Sequence, residues 1–207
     1  MNDLPVYLFV GFMGAGKTRF IQEILADADF CTSDKVLLLI CEGSESDYNS
    51  SLFLHDNVVM HCVKNERDLT PEYLSALEEK HNPKRIIVEY NGAWWLPTIY
   101  SAMPKHWFVF QNLCIANSIE FPLNAVAMPD LCSDKLEDAD IVLFNRCQES
   151  TNKHILQTFV RSANKDGDII YEDINGGLSY DKKDEHEHQA TKAVKISGSQ
   201  YDIFPTI

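Results

Sequence analysis

The segment Gly11–Thr18 has the residue types and the spacing of a phosphate-binding loop. It reads GFMGAGKT, follows the apolar run VYLFV, and matches the pattern GxxxxGK[ST] between a predicted strand and a predicted helix. Glycines let successive backbone N–H groups turn toward phosphate oxygens, and the N-terminus of the following helix adds partial positive charge. The residues expected to contact the phosphates of a nucleotide are Gly11, Gly14, Ala15, Gly16, Lys17 and Thr18.

Two side chains at the end of this loop would take part in chemistry. Lys17 supplies a mobile cation for the β and γ phosphates of a nucleoside triphosphate, and the Thr18 hydroxyl is placed to ligate Mg²⁺. The alternative is a glycine-rich turn without a ligand, but three glycines and a lysine would make a costly loop. We therefore expect a triphosphate site with Mg²⁺ bound at Thr18.

The segment KRIIVEYNG offers a second acid for such a site. Glu89 follows four residues of predicted strand, and Gly92 comes three positions later. In a phosphate-loop protein such a carboxylate orders the Mg²⁺ shell, and a glycine N–H approaches the γ-phosphate where a side chain would clash. An ordinary acid and a turn glycine at the end of a strand are the alternative, which the preceding loop disfavours. We expect Lys17 and Glu89 to be the catalytic residues and Glu89 to be a metal ligand.

The elements that must position these residues alternate between strands and helices. Short, continuously apolar strands of this kind predict a parallel sheet with helices on both faces, which is the α/β class and here a P-loop NTPase fold. The predicted strands are Pro5–Val10, Val36–Ile40, Val58–Cys62, Arg85–Val88, Leu113–Ala116, Ile141–Phe144 and Ile169–Tyr171. The predicted helices are Thr18–Ala28, Pro71–Lys80, Ala93–Met103 and Thr151–Ala163.

Composition and charge limit the possible partners. The 207 residues are 45% apolar, as in a globular protein, and a formal net charge of −13 would repel a nucleic-acid backbone. Six cysteines without CxxC spacing favour reduced structural thiols. No run approaches the roughly 18 apolar residues of a membrane span, and the N-terminus lacks the basic segment of a signal peptide. We expect a cytoplasmic protein that binds neither nucleic acid nor membrane.

The character of the chain changes near Asp181. Residues 1–180 are predicted to form the nucleotide-binding domain, and residues 181–207, which are polar with a short aromatic end, a tail or docking arm. Within this tail His186 and His188 lie between acidic residues and could bind a transition metal such as zinc. A charged, solvated tail is the alternative.

Together these segments resemble the CobW-type nucleotide-binding proteins, the GTPases and metallochaperones grouped with HypB and UreG. The resemblance spans residues 5 to 178 and implies a P-loop fold, Mg²⁺-dependent GTP binding and an unidentified client protein. The segments that carry it, in the family's order, are GFMGAGKT, ICEG at Ile40–Gly43, VEYNG, DADIVLFNRCQ and DIIYEDINGG. Hydrolysis should be slow, because no glutamine or arginine stands in an obvious position to orient water or stabilise the γ-phosphoryl charge.

The resemblance also implies roles for residues outside the loop. Glu42 would belong to the first switch region and join Thr18 and Glu89 as a metal ligand, while Asn145 and Arg146 would flank the base. Gln148 stands where the family has the aspartate of its NKxD motif. A neutral amide cannot accept both hydrogen bonds from guanine as a carboxylate does, so we expect GTP to be bound with weakened discrimination against ATP.

The chain departs from the family at its metal-handling motif. Where the family has Gly-Cys-x-Cys-Cys, this chain has VMHCVKNERDL and a single cysteine, Cys62. His61 and Cys62 are adjacent, so on a strand their side chains point to opposite faces and cannot readily hold one ion together. Zinc, if bound, is expected to depend on His186 and His188 rather than on Cys62.

Two other functions fit parts of the sequence. GFMGAGKT is also similar to the phosphate loop of shikimate kinase, but a small-molecule kinase needs a base and a lid that carries arginines, and the arginines here are isolated. The second is a binding module that holds nucleotide without hydrolysing it and engages a partner protein. Trp94 and Trp95 lie close after Gly92, and one of them could contact a partner or a second copy of the chain.

Overall fold

An eight-stranded sheet lies at the centre of the computed structural model, which describes residues 3–28, 30 and 33–181. The strand order is β3-β2-β4-β1-β5-β6-β7-β8, in which the first seven strands are parallel and β8 pairs antiparallel with β7. The strands are β1 (Leu4–Val10), β2 (Val36–Ile40), β3 (Val58–Cys62), β4 (Arg85–Glu89), β5 (Trp107–Asn117), β6 (Ile141–Cys147), β7 (Asp168–Asp173) and β8 (Leu178–Tyr180).

Helices connect the strands, and short 3₁₀ turns at Glu45–Asp47, Ser50–Leu52 and Glu66–Asp68 follow β2 and β3. Local sequence explains where α2 starts: the Thr70 side chain accepts a hydrogen bond from the Tyr73 N–H, and proline occupies the first turn, where its missing N–H is not needed. The helices are α1 (Lys17–Leu25), α2 (Pro71–His81), α3 (Leu96–Ala102), α4 (Phe121–Ala127), α5 (Pro129–Glu137) and α6 (Lys153–Ala163).

The sheet is buried on both faces at its centre, where β1 and β2 are apolar and buried at every position. Along β1, Val6 and Leu8 pack into one core, while Tyr7 and Phe9 pack into the other. Helix α1 covers the second face, and α2, α3, α5 and α6 contribute to the first. Each buried aliphatic side chain contributes about 1.5–3 kcal/mol, so the two cores hold β1 and β4 rigidly beneath the loops that follow them.

The predicted α/β class with a mostly parallel sheet is confirmed, but several elements differ from the sequence prediction. Strand β5 is much longer than the predicted Leu113–Ala116, because two buried polar residues, Gln111 and Asn112, interrupt its apolar sequence. Helices α4 and α5 were not predicted, since Pro122 and Pro129 lie in their first turns rather than breaking them. Strand β8 was also missed, as its three residues carry no clear pattern.

The predicted tail, residues 181–207, lies outside the described residues except for Asp181, and so do His186 and His188. Among the described residues, no helix combines the length and the apolar character needed to cross a membrane.

Candidate nucleotide-binding site

The loop from Gly11 to Gly16 joins the end of β1 to the start of α1, as the motif predicts. Its glycines adopt left-handed backbone angles, with φ of 132° at Gly11 and 102° at Gly16. A Cβ at Gly11 would lie 2.1 Å from the carbonyl oxygen of Ile115 in β5, so this position requires glycine. The loop is therefore pressed against the central strands and opens at the carboxyl edge of the sheet, where parallel α/β sheets bind their ligands.

Lys17 is the first residue of α1, and only 2% of it is exposed. Its Nζ donates hydrogen bonds to the carbonyl oxygens of Gly11, at 2.8 Å, and Phe12, at 3.2 Å. A third bond, of 2.6 Å, runs to Oε2 of Glu42. The ammonium is thus folded back over its own loop, where it would meet the phosphates of a nucleotide.

Glu89, the last residue of β4, faces the same loop. Its Oε1 accepts the Thr18 hydroxyl at 2.5 Å, and its Oε2 accepts the Tyr48 hydroxyl at 2.7 Å. Burial raises the pKa of the Glu89 carboxyl, and the hydrogen bonds from Thr18 and Tyr48 together with the nearby Lys17 charge partly offset this rise. The predicted pair Thr18 and Glu89 is brought together, and Tyr48 is an additional contact that no sequence motif signals.

Gly92 approaches the phosphate loop from the segment after β4. A Cβ at Gly92 would lie 2.5 Å from the Gly11 carbonyl oxygen and 2.7 Å from the Phe12 Cα, so any side chain would push the loop away. The Gly92 N–H donates to Oε1 of Glu42 at 3.3 Å. Glu42 therefore contacts Lys17 and Gly92, whereas the Thr18 hydroxyl and the Glu89 carboxylate contact each other.

At the end of β6, two predicted base-contacting residues also reach the phosphate loop. The Asn145 side chain donates to the Ala15 carbonyl oxygen at 2.6 Å, and the Arg146 guanidinium donates to the Gly14 carbonyl oxygen at 3.2 Å. Asn145 Oδ1 is buried and has no hydrogen-bond partner among the described residues. Gln148 directly follows β6 and is exposed, and its backbone N–H donates to the Thr151 hydroxyl at 2.8 Å.

This arrangement fits a magnesium nucleotide. Thr18 and Glu89 present hard oxygen donors side by side, which suits Mg²⁺. The buried Lys17 ammonium and the positive-φ loop suit phosphate oxygens, and the unpaired Asn145 Oδ1 is a buried acceptor at the adjoining edge.

His61 and Cys62, at the end of β3, are not part of a transition-metal site in the described part of the chain. His61 Nε2 shares a 2.6 Å hydrogen bond with the Tyr73 hydroxyl. Within residues 3–28, 30 and 33–181, no group of three or more histidine, cysteine, aspartate or glutamate residues is placed to hold an ion.

The two tryptophans after Gly92 have different surroundings. Trp94 packs its ring against Tyr90, with ring centroids 5.9 Å apart, whereas Trp95 is 49% exposed.

Solved structures share this fold. The Zn(II)-bound YjiA GTPase from E. coli superposes with a TM-score of 0.61 at 16% identity, covering 82% of this chain and 57% of its own. Hydrogenase maturation factor HypB from Archaeoglobus fulgidus gives a TM-score of 0.57 at 11% identity, covering 84% of this chain and 83% of its own. HypB from Helicobacter pylori in complex with nickel gives 0.50 at 13%, with 82% and 78% covered.

The chain thus spans little more than half the length of the YjiA structure. Among curated proteins, no sequence matches this chain. The family model described as CobW/HypB/UreG, nucleotide-binding domain, matches residues 5–170, which include the phosphate loop and the ends of β4 and β6. The predicted membership is confirmed: this chain belongs to the CobW/HypB/UreG nucleotide-binding domain family.

Proposed function

We propose that this chain binds GTP together with Mg²⁺, hydrolyses it slowly, and acts as a nucleotide switch toward a client protein. The observation that carries the proposal is the meeting of Lys17, Thr18 and Glu89 at the carboxyl ends of β1 and β4. Lys17 and Thr18 are adjacent at the start of α1, whereas Glu89 lies 71 positions beyond Thr18, and the three types are those that a magnesium triphosphate needs.

Each residue has a distinct part in binding. The backbone N–H groups of Gly14, Ala15 and Gly16 and the Lys17 ammonium neutralise phosphate oxygens. The Thr18 hydroxyl and the Glu89 carboxylate hold Mg²⁺, directly or through water, and Glu42 can join that shell only after leaving Lys17. When bound, Mg²⁺ supplies positive charge to the β and γ phosphate oxygens.

Hydrolysis should be slow because, among the residues that the structure describes, no side chain is in an evident position to orient water. In the described chain, Gln22 accepts from the Asn49 N–H, and Gln157 donates to Asp181. Arg146, which reaches the loop, contacts the Gly14 carbonyl oxygen. We expect turnover on the order of 10⁻⁴ to 10⁻² s⁻¹, as in GTPases that lack a stimulating partner.

A second candidate is a module that binds nucleotide but does not hydrolyse it. It is favoured by the described residues around the loop, since none of their side chains is in an evident position to orient water. In either case the exposed Trp95, close after Gly92, offers a contact for a client protein or a second copy of the chain. Turnover measured over hours with Mg²⁺ separates the two candidates.

Calorimetric titration of GTP with Mg²⁺ tests the proposal. Lys17→Ala should weaken binding by at least about tenfold, because a charge-assisted donor contributes roughly 1.5–3 kcal/mol. Lys105→Ala is the matched control, since Lys105 is exposed and precedes β5 at the opposite edge of the sheet. Equal GTP affinity in wild type and Lys17→Ala would refute the proposed site.

A further inference from the structure

One carboxylate, that of Glu42, contacts two groups that a γ-phosphate would use. Its Oε2 accepts from Lys17 Nζ at 2.6 Å, and its Oε1 accepts from the Gly92 N–H at 3.3 Å. Under the proposed function, the lysine and the glycine N–H are the donors for the terminal phosphoryl oxygens. A carboxylate offers the same pattern, two oxygens that share negative charge, to the same pair of donors.

The position of Glu42 is fixed by its neighbours in the chain. The preceding residue, Cys41, donates its N–H to the Glu89 carbonyl oxygen at 2.9 Å and accepts at its own carbonyl from the Asn91 side chain at 3.2 Å. The following residue, Gly43, has φ of 83°, and Asp47 accepts the Ser44 N–H at 2.8 Å to close the turn. Glu42 is therefore a side chain on an anchored turn, and only 12% of it is exposed.

The two oxygens of Glu42 would meet a diphosphate and a triphosphate differently. A diphosphate ends at its β-phosphate, which can share the Lys17 ammonium while Glu42 keeps the Gly92 N–H. A triphosphate places oxygens and negative charge where the carboxylate lies, so Glu42 must leave both donors. The cost of that displacement falls on the triphosphate alone.

We infer that Glu42 is a specificity-determining residue that competes with the γ-phosphate for Lys17 and the Gly92 N–H, and so lowers the preference for triphosphate over diphosphate. This inference rests on the proposed nucleotide site. It assigns to Glu42 a role in the nucleotide-free protein that is separate from metal ligation.

The test measures dissociation constants of GDP and of a non-hydrolysable GTP analogue, each with Mg²⁺, for wild type and Glu42→Gln. The variant should raise the triphosphate-to-diphosphate preference about tenfold, because the amide is a weaker acceptor for the ammonium and carries no charge to repel the γ-phosphate. Glu45→Gln is the matched control: it removes one charge from the same turn, at an exposed residue, and should change the preference less than about twofold.

A second variant separates the effect of side-chain length from the effect of charge, and it keeps the inference testable if Glu42→Gln does not fold. Glu42→Asp keeps the charge but shortens the side chain by one methylene, so it cannot span both donors, and it should also raise the preference. An unchanged preference in both variants, with both nucleotides bound, would overturn the inference and leave the proposed function intact. If wild type binds neither nucleotide, the proposed function fails, and this inference fails with it.

Discussion

The Tyr48 hydroxyl donates a 2.7 Å hydrogen bond to Oε2 of Glu89, across 41 positions of sequence. Tyr48 is buried, and its pKa is raised, first by burial and then by the Glu89 charge. Its hydroxyl therefore keeps its proton and remains a hydrogen-bond donor near neutral pH. The bond leaves Glu89 Oε1 facing Thr18. Tyr48 is thus a positioning residue for the carboxylate proposed to hold Mg²⁺.

Tyr48→Phe should lower the free energy of unfolding by about 1.5–3 kcal/mol, because Oε2 of the buried Glu89 carboxylate loses the hydrogen bond from the Tyr48 hydroxyl. The Mg²⁺ concentration needed for half-maximal nucleotide binding should rise about tenfold, as for other outer-sphere partners. Tyr73→Phe is the control: its hydroxyl pairs with the His61 ring away from the site, so Mg²⁺ dependence should not change. Equal Mg²⁺ dependence in all three proteins would contradict the assigned role.

Lys135 holds the segment after Gly92. Its ammonium is buried, contacts the Trp94 carbonyl oxygen, and pairs with Asp134 at 2.5 Å. Lys135→Met leaves the Asp134 charge without its partner and should lower the free energy of unfolding by roughly 3 kcal/mol. Lys105→Met, at an exposed lysine, should change it by less than about 0.5 kcal/mol. Urea denaturation of the two variants distinguishes a structural anchor from a dispensable charge.

Base selection should be weak because Gln148 replaces a carboxylate. We expect less than about a hundredfold preference for GTP over ATP, and a gain in that preference for Gln148→Asp. Glu149 is also exposed and is the next residue, so a one-residue shift could bring its carboxylate to the base instead. Competition of GTP and ATP for a fluorescent nucleotide, measured on wild type, Gln148→Asp and Glu149→Gln, decides which of these two residues contacts the base. Strong GTP selectivity that only Glu149→Gln abolishes would show that Glu149 reads the base.

Stability should fall at alkaline pH through the buried thiols. Burial raises the pKa of Cys114 to about 12, whereas an unfolded thiol ionises near 8.5. Between these values the folded state retains a proton that the unfolded state releases, so the free energy of unfolding falls as pH rises, by about 1.4 kcal/mol per pH unit for this thiol. Denaturation at pH 8.5 and 9.5 should give a smaller loss for Cys114→Ala than for wild type. Identical losses would contradict the assignment to Cys114.

The sequence was sufficient where function depends on a contiguous pattern. The phosphate loop follows the apolar strand β1, and Glu89 ends β4 after the apolar run Ile86–Val88, so both are easy to locate. The contacts of Glu42 and Tyr48 could not be predicted, because they depend on how the turn after β2 folds over β4. That turn contains short 3₁₀ segments rather than a periodic element, and periodicity gives no information about them.

Helices α4 and α5 were missed for a related reason. Their prolines normally signal the end of regular structure, and only the neighbouring strand ends decide whether a proline starts a helix instead. The contacts of Asn145 and Arg146 could not be predicted either, since both side chains turn back toward the phosphate loop, and their role toward the base stays a prediction.

Under the proposed function, the hydrogen bond from Asn145 to Ala15 joins the strand end expected to face the base to the loop expected to hold the phosphates. Strand β6, which carries Asn145, is separated from β1 by β5, so the bond bridges a full strand of the sheet. This bond would then fix the distance between the base-binding and phosphate-binding parts of the site. Under that function we expect a change at either end of the site to alter the affinity at the other end.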